Sequence, residues 1–210
     1  MMKQPGFTLV EVALVMVIIG LLIGGFLKGK EFITQAKLKN IETSFESVAK
    51  ALYTYQELYH ALPGDDREAT RFDSNIIIPS TQNGKIEGLF DSEIPNEESR
   101  LVWLHLRYAG LISKTFIDDP LQIYSRLQEQ PRHIFNGIIG VSNDLNINGA
   151  QLKMGENMPG LFVGFTNIPG NIAEALDIKG DDGLANSGRV RSNEANYQDK
   201  NLFYKLYFYL

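Results

Sequence analysis

The chain has 210 residues, 44% hydrophobic and 21% charged, with 20 Lys and Arg against 25 Asp and Glu. That composition excludes a disordered tail or a collagen-like fibre, and the net charge of −5 argues against general binding to a phosphate backbone. Cysteine is absent, which removes disulfide staples, zinc–thiolate sites and cysteine catalysis, so stability must come from a hydrophobic core, strand pairing or an oxygen-ligated metal.

Apolar residues are concentrated at the N-terminus. Residues 7–27 (FTLVEVALVMVIIGLLIGGFL) carry a single charge, Glu11, and about 20 such residues cross the hydrocarbon of a bilayer as a helix. A cleaved secretory signal has a shorter apolar core followed by an Ala-x-Ala type site, and no such site follows Leu27. A buried globular helix is rarely this long and this uniformly apolar. A plain signal anchor is the remaining ordinary reading. Against it stands Glu11, because a carboxylate inside a span costs roughly 2.5 kcal/mol or more and usually serves a function.

The segment opens with a short basic leader ending in Gly6, then Phe7, then Glu11 at the head of the apolar run. This order resembles the prepilin-type leader of type IV pilins and type II secretion pseudopilins. The resemblance implies cleavage by prepilin peptidase between Gly6 and Phe7 and N-methylation of Phe7. It further implies a single-pass precursor in the bacterial inner membrane with its head outside the cytoplasm. An assembly platform would then build it, with other pilin or pseudopilin subunits, into a periplasmic or cell-surface filament. Loss of Lys3 with the leader leaves 19 basic side chains against 25 acidic ones.

Glu11 lies one helical turn beyond Phe7 on the same face. Three fates are open to it: pairing with its own Phe7 amine and the helix dipole, pairing with the terminal amine of a neighbouring subunit, or protonation. The resemblance favours the second, as the device that sets subunit stagger during assembly. Gly20, Gly24, Gly25 and Gly29 fall at GxxxG spacing twice over, which suits close helix packing or local loosening and is also ordinary in membrane helices. Many pilins carry a proline further along the span. Lys28 occupies that region here, so the resemblance is to a minor pilin or pseudopilin rather than a major pilin. Lys28, Lys30, Lys37 and Lys39 follow the span while Lys3 precedes it, and the positive-inside rule alone would place the head in the cytoplasm. The leader motif outweighs that rule.

Beyond the span, Ile41, Phe45, Val48, Leu52, Tyr55 and Tyr59 repeat at helical spacing, with Lys37, Lys39, Glu42, Glu46 and Lys50 on the other side. One helix is therefore expected from Phe7 to Tyr59, roughly 80 Å long, ended by Pro63 and Gly64. The resulting boundaries are a leader over 1–6, a transmembrane or filament-core helix over 7–27, its amphipathic continuation over 28–60 and a globular head over 61–210.

Within the head, residues 76–79 read as a short strand and Asn83–Gly84 as a tight hairpin turn. Residues 96–110 read as a second helix, with Asn96 as N-cap, acids in the first turn, Gly110 as the stop and Leu101, Leu104, His105 and Tyr108 facing inward. Three β-rich runs follow, at 134–141, 160–165 and 202–210, and the last is so aromatic that it must be paired. The expected fold is α+β, a long N-terminal helix packed on a C-terminal antiparallel sheet head, a type IV pilin-like lollipop.

Candidate chemistry is sparse. His60, His105 and His133 lack metal-ligand spacing, and His105 on an apolar helical face reads as a core or interface residue. Nucleophile-elbow, P-loop and dinucleotide motifs do not occur. Asp65, Asp66 and Asp73 crowd one loop and Asp177, Asp181 and Asp182 another, and solvated acids explain both better than catalysis. Residues 144–149 (DLNING) match the opening of an EF-hand loop, but its twelfth position is Gly155, so a polar turn between strands is the better account. No catalytic residue, metal ligand or cofactor is assigned. Calcium at one of the Asp/Asn-rich loops is the competing expectation, because some pseudopilins brace their heads that way. The expected function is a structural filament subunit without enzyme activity or nucleic-acid partner. The alternatives are a filament-borne adhesin or uptake module, and a membrane-anchored enzyme.

Overall fold

A computed structural model describes residues 8–74, 76–79, 81–113, 128–144, 146–147, 150–151 and 160–210. The chain divides into two compact units, residues 1–39 and 40–210. Helix α1, Leu9–Tyr59, is continuous over 51 residues. No proline interrupts it, and Lys, Glu, Ala and Leu dominate its polar half. It ends before Pro63 because His60 adopts a left-handed conformation (φ 54°), the role a glycine usually fills at a helix C-terminus.

In the unit over residues 40–210, the last turns of α1 supply one wall of the core. Ile41, Val48, Ala51, Leu52 and Tyr55 are buried, while Phe45 and Tyr59 are half-buried at the edges of the stripe. Phe45 meets Phe208 at 5.3 Å between ring centroids, which docks the helix on the sheet.

Strands β1 (Ile139–Ser142), β4 (Phe162–Pro169), β5 (Val190–Ser192) and β6 (Phe203–Tyr209) form an antiparallel sheet in the order β1-β4-β6-β5. β2 (Asn146–Ile147) and β3 (Ala150–Gln151) make a separate antiparallel pair. The long helix and antiparallel sheet expected from the sequence are thus present. The aromatic C-terminal run takes a central position, paired on both sides. A bulge between Phe165 and Ile168, with Asn167 at φ 60°, bends β4.

Gly140 and Gly164 face each other across β1 and β4. Together they leave a notch for Phe90. A Cβ on Gly164 would lie 2.3 Å from the Phe90 ring, and one on Gly140 would lie 1.8 Å from its carbonyl oxygen. The ring then meets Phe162 and Tyr207 edge-on, so the two glycines are what seat the aromatic core.

Three expectations need correction. Residues 76–79 form no strand; Ile76 instead packs with Ala69, Leu101 and Leu104. The Asn83–Gly84 turn makes no hairpin, because its two N–H groups bind the Asp65 carboxylate at 3.2 and 2.6 Å. Helix α2, Glu98–Tyr108, starts after Glu97 rather than Asn96, and no side chain caps it. Its Glu98 turns inward to accept from Thr81 Oγ1 and Glu87 N, both at 2.9 Å. Gly110 does stop the helix, at φ 72°.

A further helix, α3 (Gly170–Gly180), was not expected from the sequence. It buries Ile172, Ala173, Leu176 and Asp177.

Candidate functional site

The N-terminal unit carries the sequence features with the most specific chemistry. Gly6 and Phe7 lie outside the described residues, so the cleavage and methylation positions have no geometry here. Glu11 is described. Its Oε2 accepts from Thr8 N and Thr8 Oγ1, each at 2.8 Å, while Glu11 N donates to Thr8 Oγ1 at 3.3 Å. That reciprocal pattern is a capping box, with Thr8 before the first helical residue and Glu11 three positions on. The spacing Thr8-x-x-Glu11 is the sequence signature of such a box. In the single chain the carboxylate therefore serves its own helix terminus.

Around and beyond Glu11 the helix is unsheltered. Leu9, Val10, Met16, Leu21 and Leu22 are all more than 60% exposed, and none of the most apolar stretch of α1 is buried within the chain. Gly20, Gly24, Gly25 and Gly29 lie within unbroken helix, and a Cβ added at any of them would meet nothing within 4 Å. By helical geometry Gly20 and Gly24 share one side and Gly25 and Gly29 another, about 140° round the axis, so a neighbouring helix finds a notch on two faces.

The acidic loops of the head are built differently. Asp66 is buried; it accepts from Tyr55 OH at 2.7 Å and takes two bonds from Arg71 at 2.9 and 3.1 Å. Asp65 holds the 83–84 turn, and Asp73 accepts from Tyr108 OH at 3.3 Å. Asp66 thus ties the end of α1 to the head, while Asp65 and Asp73 brace the head internally.

The histidines are scattered and structural. His105 Nδ1 accepts from Gly64 N at 2.9 Å, and burial pushes the imidazole down to about 4. His133 lies against Thr166 O at 2.8 Å and is lowered by burial. His60 closes α1.

Asp177, Asp181 and Asp182 bring carboxylate oxygens within 4.8 Å of one another, a donor set of hard oxygens. Each already accepts internal bonds. Tyr197 OH and Gly183 N donate to Asp177 at 2.6 and 2.9 Å, Val190 N and Arg189 N to Asp181, and Ser187 Oγ and Leu184 N to Asp182 at 2.6 and 2.9 Å. Burial drives Asp177 up to about 7 despite the Tyr197 bond. The loop is thus tied together by protein donors. Of the EF-hand-like stretch 144–155, only Asp144 and the backbone of β2 and β3 are described, and the rest lies outside the described residues. A groove of about 300 Å³ runs between residues 42–46 of α1 and α3, β5 and β6, with Phe45, Leu176 and Phe208 on its walls and a Glu42–Lys179 ion pair of 2.6 Å at its edge.

Residues 1–27 match the prokaryotic N-terminal methylation motif, the prepilin-type signal of type IV pilins and pseudopilins. The motif supports a protein of the prepilin-processed type, and with the apolar helix it fits an inner-membrane-anchored precursor. No curated protein and no solved structure matches the chain.

Proposed function

We propose that this protein is a minor pilin or pseudopilin, a structural subunit of a type IV pilus-like or type II secretion filament. The observation that carries this reading is the prepilin-type signal opening a helix whose apolar side chains are exposed all round. Burying that surface is worth about 25 cal/mol per Å², and a single chain cannot do it. Lipid covers it first; the helices of other subunits replace lipid on assembly. Glu11 changes partner in that exchange. Its capping bonds to Thr8 hold it in the precursor, and the methylated Phe7 amine of a neighbour takes it in the filament, where a charge in an apolar core needs a counter-charge.

A structural role for the head, rather than catalysis, draws support from the spending of Asp65, Asp66, Asp73 and His105 on internal bonds. Mass spectrometry of the N-terminal peptide from membranes and sheared fibres tests processing and destination. A methylated Phe7 recovered from fibres is the expected result, and an intact Met1 in a solitary bilayer-bound monomer overturns the reading. Glu11→Ala is expected to insert and be cleaved but to enter filaments at least tenfold less often, because it leaves the neighbour's amine unpaired in an apolar core. Incorporation at the normal frequency would refute the exchange.

A further inference from the structure

We propose that Phe26, Lys28, Lys30 and Phe32 form a collar that docks on the phosphate groups of acidic phospholipids at the outer edge of the span. The inference rests on the membrane-anchored precursor described above and adds a partner to it. From Thr8 to Lys28 the helix rises about 30 Å, the thickness of the bilayer hydrocarbon. Whichever residues follow must lie among headgroups, and the helix continues through that level without a break.

The side chains at this level are paired. Lys30 Nζ stands 5.1 Å from the centre of the Phe26 ring, reaching back toward the span. Lys28 Nζ stands 5.3 Å from the Phe32 ring, reaching away from it. Both rings are more than 60% exposed. Helical geometry places Phe26, Lys30 and Ile33 on one side and Lys28, Phe32 and Lys39 on the other, so an aromatic ring with an ammonium beside it occurs on opposite sides of the helix. Rings of this kind settle at the headgroup boundary and long lysines snorkel to it.

Charge selects the lipid. Residues 28–39 hold four lysines and one glutamate, in a chain that is acidic overall. Glu31 takes one contact from Lys28 at 2.5 Å, yet the Lys28 side chain keeps 59% of its surface open. A cationic belt at the end of a span attracts anionic headgroups. The same belt runs against the positive-inside rule, and a headgroup contact on the outer leaflet gives those lysines a role on that side.

The test uses the full-length chain in neutral detergent micelles, titrated with phosphatidylglycerol or phosphatidylcholine, with bound lipid counted by native mass spectrometry. Phosphatidylglycerol is expected to bind at least roughly tenfold more tightly. Lys28→Gln with Lys30→Gln is expected to remove most of that preference, since each lysine at an anionic surface is worth a factor of about five. Phosphatidylcholine binding should not change, and Lys50→Gln with Lys179→Gln should leave both lipids unaffected. Equal binding of the two lipids, an undiminished preference in the Lys28/Lys30 variant, or displacement of phosphatidylglycerol by millimolar inorganic phosphate would each overturn the proposal. Micelle binding is blind to sidedness. Protease protection of the head in sealed inner-membrane vesicles tests that separately: a protected head in right-side-out vesicles would refute the topology while leaving the lipid preference standing.

Discussion

His105 and Asp177 are buried ionisable groups with opposite proton preferences. His105 is neutral in the fold, its value lowered to about 4 by burial, against about 6.5 unfolded. Its contribution is complete above pH 6.5 and is lost as the pH falls toward 4, because the unfolded chain then takes up the proton. The difference corresponds to about 3 kcal/mol. Thermal unfolding of the full chain between pH 7 and 4 should show this slope, and His105→Asn should flatten it while lowering stability at pH 7. Asp177 behaves in the reverse sense. Burial raises it to about 7, so its contribution is complete below pH 4 and is lost as the pH rises through 7. Asp177→Asn is expected to raise the melting temperature at pH 8 by a few degrees, and by clearly less at pH 5, where only part of the contribution has been lost. A parallel fall at both pH values would show that the carboxylate matters for bonding to Tyr197 and not for charge. His105 was legible as a core residue on the inner face of its helix, whereas Asp177 reads in sequence as a solvated loop acid and is buried only by contacts made in three dimensions.

Among the elements, those with long periodic patterns were legible and those fixed by distant contacts were not. The stripe from Ile41 to Tyr59 repeats one helical period over several turns, and the run ending at Leu210 is densely aromatic and apolar, so in both local pattern and tertiary packing agree. Helix α3 carries no side-chain cap and only a short apolar stripe of Ile172, Ala173 and Leu176, so its local pattern is weak although Pro169 stands at its start. The strand expected over 76–79 failed because Ile76 is claimed by α2, and β1 begins only after the left-handed Asn136. The notch at Gly140 and Gly164 is the clearest case of a requirement that sequence hides. Gly164→Val would force a branched side chain into the space of the Phe90 ring, and overpacking of this kind costs about 1–3 kcal/mol. Chemical denaturation should show that loss, and Phe90→Ala on the same background should recover part of it. Strictly additive losses would mean that ring and glycines do not share one space.

At the level of the whole molecule, the first 27 residues carry the methylation motif and open the apolar helix, while the head is built on an antiparallel sheet with its own aromatic core. Glu11 was legible as an unusual charge, and the Thr8 partner that holds it was written three residues away. The collar lysines were legible as a breach of the charge rule; their pairing with Phe26 and Phe32 needed coordinates. One property of the sheet bears on how such chains meet. The N–H groups of Ile139 and Asn143 beside β1 go to Pro131 and Ile86 carbonyls, and those of Val190 and Ser192 on β5 go to Asp181 and Ala185. Margins tied off in this way leave little for a second sheet to grip. In the filament proposed above, heads would then crowd together without zipping up out of order, leaving the sequence in which subunits join to the helices.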